Sequence, residues 1–124
     1  MKKFNFPKGR RGEGIAGRYL SEQGYMIVER NFRTRWGEID LVCTKRDVLV
    51  FVEVKLKVGE NFGTPEEMVS KRKIEQVQRT AESFLMINPD MRKKYEKYRI
   101  DVVAIVLSEE GRVERIKHYE NMEL

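Results

Sequence analysis

Two apolar segments of this chain carry charged residues at positions where a folded core excludes unpaired charge. Asp40 lies within GEIDLVCT (residues 37–44), and Glu53 and Lys55 lie within VLVFVEVKLK (residues 48–57). An ionised side chain that is buried without a partner costs free energy, so such a group is paired with an opposite charge or binds a metal ion. Any fold for this chain must therefore bring compensating groups to these three side chains.

The two segments are predicted to form a β-hairpin, because both are rich in β-branched residues and only a short polar stretch separates them. The tightest closure uses residues 46–47 as the turn. A four-residue loop over 45–48 gives the same register and is slightly favoured, because an Arg–Asp pair lacks the glycine that two-residue turns prefer. In this register Asp40 faces Glu53 on the neighbouring strand, with Cβ atoms about 5 Å apart.

Side chains alternate between the two faces of a strand, so the register also predicts which residues share a face. On the first strand, one face holds Glu38, Asp40 and Val42, and the other holds Ile39, Leu41 and Cys43. On the second strand, one face holds Phe51, Glu53, Lys55 and Lys57, and the other holds Val50, Val52, Val54 and Leu56. Both opposed carboxylates are thus expected on the face that also carries Lys55.

Carboxylates that oppose each other across a hairpin destabilise the sheet unless something neutralises them. Mg²⁺ does so readily, because it binds one or two carboxylates together with water and phosphate oxygens. Lys55 is placed to hold a water molecule or a phosphate beside such an ion. The alternative is a cross-strand ion-pair network of Asp40, Glu53 and Lys55 with Glu38, since structural networks resemble functional sites.

A fourth charged residue comes from a predicted helix over residues 12–24, which ends at Gly24. Glu13, Ala16 and Leu20 are spaced i, i+3 and i+7, which places Glu13 on the inward face of that helix. An acid on this face is unusual, and a role in a metal site would explain it.

The rest of the chain predicts an α/β domain with a mixed sheet. A long helix between the third and fourth strands favours a right-handed crossover, so these two strands should be parallel. The further predicted elements are a first strand over 25–32, a helix over 64–87 with a capping box at Thr64 and Glu67, and strands over 98–107 and 112–119.

The net charge of +5 is concentrated at the start of the chain. Residues 1–11 contain five basic residues and no acid, whereas basic and acidic residues are equal in number over 12–124. We therefore divide the chain into a basic N-terminal arm (1–11) and a single domain (12–124). Such an arm suits contact with a polyanion. A solubilising tail is the alternative.

Several classes of protein are excluded by composition. The lone Cys43 excludes an intrachain disulfide framework, and no apolar run approaches the ~20 residues of a membrane span. Residues 1–12 lack the apolar core of a secretory signal, so a cytoplasmic location is expected. His118 is the only histidine and is predicted to be exposed, which argues against histidine-based catalysis. Asp101 is predicted to be structural and paired with Arg99 or a helix residue.

The motifs GRRGEGIAGRYL, NFRTRWGEIDLV, VLVFVEVK and RIDVVAI, in this order, together with the region around Lys71, resemble the YraN family of small bacterial predicted nucleases. That family is similar to archaeal Holliday-junction resolvases and to restriction-endonuclease-like proteins. The resemblance implies an αβββαβ core with a mixed central sheet flanked by helices. It also implies a metal site of Asp40 and Glu53, joined by Glu13, with Lys55 as the catalytic lysine.

These observations lead to one functional hypothesis and its rival. The hypothesis is a Mg²⁺- or Mn²⁺-dependent endonuclease that cleaves DNA, with branched DNA as a candidate substrate, RNA as a further one, and a homodimer as a candidate assembly. The rival is a non-catalytic nucleic-acid-binding protein on the same fold. Phosphate contacts are predicted for Lys8, Arg10, Arg11, Arg33, Arg35, Lys57 and Lys71.

Overall fold

The computed structural model describes residues 8–59 and 69–122, with side chains from residue 11 onward. Within these ranges, three helices and five strands follow one another. They are α1 (Lys8–Glu22), β1 (Met26–Thr34), β2 (Gly37–Lys45), β3 (Val48–Val58), α2 (Lys71–Ile87), α3 (Pro89–Lys94), β4 (Lys97–Leu107) and β5 (Val113–Tyr119).

The five strands form one mixed sheet in the order β1-β2-β3-β4-β5. Neighbouring strands are antiparallel except for β3 and β4, which are parallel. The parallel pair follows from the helical connection between these strands, which returns the chain to the end of the sheet where β3 began. The predicted restriction-endonuclease-like αβββαβ core with a mixed sheet is confirmed.

The helices cover opposite faces of the sheet, and each face has its own apolar core. Ala16 and Leu20 of α1 pack against one face. On the other face α2 contributes its predicted stripe, in which Phe84 packs edge-on against Phe51 with ring centroids 5.5 Å apart. The buried residues of that stripe are Ile74, Val77, Thr80, Ala81, Phe84 and Leu85. No helix within the described ranges is long and apolar enough to cross a lipid bilayer.

The β2–β3 register is the predicted one, with Lys45 opposite Val48 and Leu41 opposite Val52. The preference for a four-residue loop was wrong, because the strands are joined by a two-residue turn, Arg46 and Asp47. Arg46 adopts φ +56, in the left-handed region that a glycine usually occupies in such turns. The ladder therefore tolerates an arginine in this conformation at an exposed position.

The helix boundaries differ in part from the predictions. α1 begins at Lys8, so the last residues of the predicted arm are helical, and it ends before Gly24, which adopts φ +95 as the expected helix stop. α2 begins at Lys71, where the Ser70 side chain accepts a hydrogen bond from the Lys73 N–H. A continuous helix from residue 64 was wrong because residues 69 and 70 are not helical. The predicted capping box lies outside the described residues.

The segment 88–97 contains one helix that was not predicted. Asn88 ends α2 as expected, and its backbone N–H donates to the Phe84 carbonyl. Pro89 then occupies the first turn of α3, where the missing proline N–H has no helical partner to lose. Met91 and Tyr95 of this segment pack against the core beneath α2.

A cluster of polar side chains is buried on the face that α1 covers. Asp101 of β4 is fully buried and accepts hydrogen bonds from Arg99 Nε (3.0 Å) and the Asn121 N–H (2.9 Å). The predicted pairing of Asp101 with Arg99 is confirmed. The prediction that His118 is exposed was wrong, because its Nε2 lies 2.7 Å from Asp101 Oδ2 and its ring packs against Tyr25.

Candidate metal centre

The predicted site lies at the end of the β2–β3 hairpin away from its turn, between α1 and α2. The paired part of the ladder ends at Leu41 and Val52, and Asp40 and Glu53 follow directly on the two strands. At this level α1 contributes Glu13 and α2 contributes Lys73. Two strands and both major helices therefore meet at one polar group of side chains.

Asp40 departs from regular strand geometry. Its Oδ2 accepts a hydrogen bond of 2.7 Å from the Val54 N–H, so a side-chain carboxylate takes the place of a main-chain acceptor. The predicted alternation of β2 side chains between the two faces of the sheet breaks at Asp40. Ile39 packs beneath α2, although it was expected to share a face with Leu41 and Cys43, which pack beneath α1. The break lies at Asp40 itself, whose carboxylate accepts the Val54 N–H, while β1 still pairs with Ile39 on the other side of β2.

Three carboxylates converge beside the hairpin. Glu13, Glu38 and Asp40 each offer an oxygen, and these oxygens all lie within 4.8 Å of one another. Glu13 is only 8% exposed, as its inward position on α1 predicts. Glu38 was not predicted as a ligand, although its position on the same face two residues before Asp40 was a usable signal. It lies 3.5 Å from Arg33 Nε.

Glu53 is the most deeply buried acid of the site, at 4% exposure. Its Oε2 lies 3.5 Å from Lys55 Nζ and 3.6 Å from Lys73 Nζ. Its Oε1 is buried and has no hydrogen-bond partner among the residues that the structure describes. The lysines therefore compensate the charge of Glu53 at only one of its two oxygens, and the other oxygen is available to a cation.

Lys73 of α2 contacts Glu53 and was not among the residues predicted from the sequence. The resemblance directed attention to Lys71, which is exposed at the first position of the helix. Lys73 precedes the buried Ile74 and lies one helical turn before Val77, so it sits at the border of the inward stripe. That spacing was the signal that could have identified it.

Three carboxyl groups of the site, those of Glu13, Asp40 and Glu53, have raised pKa values. Burial, followed by the negative charge of Asp40, raises the pKa of Glu53 to about 7. Burial raises the pKa of Asp40 in spite of the hydrogen bond from Val54, and burial with the charge of Asp40 raises the pKa of Glu13. Shifts in this direction mean that nearby cations do not offset the cost of burial and of mutual repulsion.

The predicted phosphate contacts lie in different environments. Arg33 is exposed near the end of β1, and Arg35 is exposed on the β1–β2 connection, where it lies over the Trp36 ring. Arg11 Nη2 donates to the Gly111 carbonyl. Lys57 is only 5% exposed, which does not favour direct contact with phosphate.

Lys8 and Arg10 belong to the first turns of α1, and their side chains lie outside the described part.

The element order, the mixed sheet and the carboxylates at the end of the hairpin together define a restriction-endonuclease-like α/β protein with a candidate metal centre. The sequence model of the "Uncharacterised protein family UPF0102" matches residues 12–105. The chain belongs to this family, which confirms the resemblance to the YraN family.

Relatives from distant bacteria are similar over almost their whole length. A UPF0102 protein of Syntrophomonas wolfei is 44% identical over 110 residues, covering 89% of this chain and 91% of the relative. One from Pelotomaculum thermopropionicum is 42% identical, covering 91% and 92%. One from Rhodococcus opacus is 40% identical, covering 92% and 93%. The similarity therefore includes every element that contributes to the site.

Proposed function

We propose that this protein is a divalent-metal-dependent endonuclease that hydrolyses phosphodiester bonds of DNA. The observation that carries the proposal is Glu53, a buried carboxylate with one unsatisfied oxygen and a pKa raised to about 7, beside a cluster of three further carboxylates. A fold does not retain such a group for stability, since an apolar residue of similar size would cost less. Binding of a cation supplies the missing compensation.

The residues present fit Mg²⁺ or Mn²⁺. These ions prefer oxygen ligands, and Glu13, Glu38, Asp40 and the free oxygen of Glu53 supply only oxygen. Softer ligands are remote from the site. Cys43 is fully buried in the core beneath α1, where burial raises the pKa of its thiol to about 12. The described residues thus favour a hard divalent cation over zinc or copper.

The chain's own groups have separate roles in the proposed hydrolysis. A bound cation supplies Lewis-acid activation of the phosphate. Lys55 orients the attacking water and stabilises the negative charge that develops on the phosphoryl oxygens, since its ammonium group is partly exposed and lies 3.5 Å from Glu53 Oε2. Lys73 pairs with the same oxygen of Glu53 and helps to hold this carboxylate in position. Glu13, close to Asp40, accepts a hydrogen bond from the water and so directs its lone pair.

Nucleic acid is the proposed partner because the rim of the centre is cationic. The exposed cations near it are Arg33 at the end of β1, Arg35 on the β1–β2 connection and Lys71 on α2. Guanidinium and ammonium groups position phosphates without reading sequence, which suits an enzyme that acts on DNA by its shape, such as branched DNA. We place the protein in the cytoplasm. A homodimer would allow symmetric cuts across a junction.

The decisive experiment compares substrates, metals and variants. Purified protein is incubated with four-way-junction, flap, single-stranded and duplex DNA, each with Mg²⁺, Mn²⁺ or EDTA. We expect cleavage with either metal, none in EDTA, and none in Asp40→Asn or Glu53→Gln. Asp90→Asn is the matched control, because Asp90 is an exposed acid on α3 outside the site. Parallel RNA substrates test the choice of nucleic acid.

A second candidate is a nucleic-acid-binding protein without catalysis. The ion pairs of Glu38 with Arg33 and of Glu53 with two lysines favour it, because they satisfy part of the acidic charge without a metal. Binding that needs no metal, survives both site substitutions and is never followed by cleavage would establish this candidate and refute the enzyme.

A further inference from the structure

Trp36, the only tryptophan of the chain, lies on the surface beside the candidate metal centre. It is 40% exposed at the tip of the β1–β2 connection. Two guanidinium groups accompany its ring, with the central carbon of Arg35 4.8 Å and that of Arg79 5.2 Å from the ring centroid. A large aromatic side chain that is surrounded by cations and left open to solvent is a typical contact for nucleic acid.

The backbone of this tryptophan is held in place. The Trp36 N–H donates to Thr34 Oγ1 (3.0 Å), and Gln76 Nε2 of α2 donates to the Trp36 carbonyl (2.7 Å). Gly37 permits this close approach, because a Cβ atom at that position would lie 2.9 Å from the Gln76 side chain. The tip of the β1–β2 connection is therefore fastened to α2, so little order has to be gained when a ligand arrives.

A cavity of about 260 Å³ opens beside the ring. It is lined by Trp36, Arg72, Glu75, Gln76 and Arg79. Indole and guanidinium planes stack on the faces of bases, while carboxylate and carboxamide groups can bond to base edges. The lining thus combines stacking surfaces, positive charge and hydrogen-bonding groups in one concave surface.

The cavity is formed by the β1–β2 connection and α2. In each of them, a residue that lines the cavity is followed within two positions by a residue of the candidate site. Trp36 precedes Glu38 of the carboxylate cluster by two residues, and Arg72 is followed by Lys73, which contacts Glu53. A base that is held in the cavity would therefore belong to a nucleotide close to the phosphate at the centre.

We propose that the Trp36 cavity binds an unpaired DNA base next to the scissile phosphate, so that the substrate is DNA with a single-stranded segment or a strand junction. This inference rests on the proposed function for the identity of the neighbouring phosphate. In duplex DNA both faces of each base are covered by stacking, so only an unpaired or displaced base can lie against the indole ring. The cavity thereby selects DNA by its secondary structure and not by its base sequence.

Fluorescence of the single tryptophan tests this binding directly. Wild-type protein is titrated in EDTA with single-stranded, flap and blunt duplex DNA of matched length, so that no cleavage interferes. We expect the single-stranded and flap DNA to quench the emission strongly at saturation and the blunt duplex to leave it nearly unchanged. Equal quenching by the blunt duplex would overturn the proposal, as would stronger binding of the matching single-stranded RNA.

Variants separate stacking from charge. Measured by anisotropy of a labelled flap, Trp36→Ala should weaken binding about 10-fold and Trp36→Phe much less, since stacking contributes about 1–3 kcal/mol per base. Arg92→Gln, which removes an exposed arginine on α3, is the control for loss of positive charge. Flap binding by Trp36→Ala that equals wild type refutes the inference. Because binding is read without metal, a failure to cleave DNA would refute the proposed function alone.

Discussion

Asp101 and Glu53 are buried acids on neighbouring strands of one sheet, yet their surroundings differ completely. Asp101 lies on the face that α1 covers, where hydrogen bonds from His118, Arg99 and the Asn121 N–H lower its pKa despite burial, which acts in the opposite direction. Glu53 lies on the other face, where burial and the charge of Asp40 raise its pKa.

The difference teaches how one sheet can hold carboxylates for two purposes. Asp101 receives donors at both of its oxygens, so its ionised form is stabilised and it ties β4 to β5 and to the segment after β5. Glu53 has lysines at one oxygen and no described hydrogen-bond partner at the other. We interpret the first as a contribution to stability and the second as a binding capacity that costs stability.

The largest expected effect is a contrast in stability between two isosteric substitutions. Asp101→Asn leaves the Arg99 guanidinium without its buried counter-charge and should lower the free energy of unfolding by about 3–5 kcal/mol. Glu53→Gln relieves repulsion from Asp40 and should leave this free energy unchanged or increase it. Urea unfolding of both variants in EDTA at pH 8 checks the contrast. A larger loss in Glu53→Gln than in Asp101→Asn would reverse our interpretation of the two acids.

A divalent cation should stabilise the protein by binding at the Glu53 site, and the Asp101 cluster should not contribute to this gain. At 100 times its dissociation constant, Mn²⁺ should raise the free energy of unfolding by about 2.7 kcal/mol. The gain should disappear in Asp40→Asn and persist in Asp90→Asn, whose exposed acid lies on α3. Thermal unfolding with and without metal measures it. An equal gain in Asp40→Asn would place the bound ion elsewhere.

The two acids should respond to pH in opposite directions. The pKa of Glu53 rises from 4.5 to about 7 on folding, so its contribution to stability is full below pH 4.5 and is lost as the pH rises through about 7. The pKa of Asp101 is lowered on folding, so its contribution is present above 3.8 and is lost as the pH falls through the folded value. In EDTA, raising the pH from 5 to 8 should cost wild type about 2 kcal/mol more than Glu53→Gln. Parallel profiles would show that Glu53 ionises normally.

The smallest effect concerns Tyr25, whose hydroxyl is linked to Asp101 through Arg99. Arg99 Nη2 donates to the Tyr25 hydroxyl, which is buried. Tyr25→Phe removes this acceptor while keeping the ring, so the free energy of unfolding should fall by about 1 kcal/mol. Tyr98→Phe, at a more exposed tyrosine, should change it by less than about 0.5 kcal/mol. Equal losses in the two variants would mean that the Arg99 bond contributes nothing.

Much of the fold could be predicted because its signals are local and periodic. The faces of β3 follow strand alternation, the inward position of Glu13 follows helical spacing, and the hairpin register follows from its shortest closure. The features that sequence reasoning missed depend on the assembled structure. Alternation fails at Asp40 because its carboxylate captures the Val54 N–H, a donor that only the folded hairpin offers. His118 is buried because Asp101 of a neighbouring strand binds its ring.

The candidate site was predicted in outline, and its composition changed in detail. Glu13 lies on the inward face of α1 as predicted, but its proximity to Asp40 depends on the break in strand alternation at Asp40. The choice of Lys73 over Lys71 depends on where α2 begins. A predicted start at residue 64 gave no reason to prefer either lysine.

The parallel pairing of β3 with β4 has a consequence for the order of folding. α1, β1, β2 and β3 are close in sequence, whereas β4 pairs with β3 only after the whole α2 segment has been placed. Non-local pairing of this kind is slow, because the entropy of closing a long loop is lost before its contacts form. We therefore expect the acids of the N-terminal half to gather before Lys73 arrives, so that their repulsion contributes to the folding barrier and a divalent cation accelerates refolding.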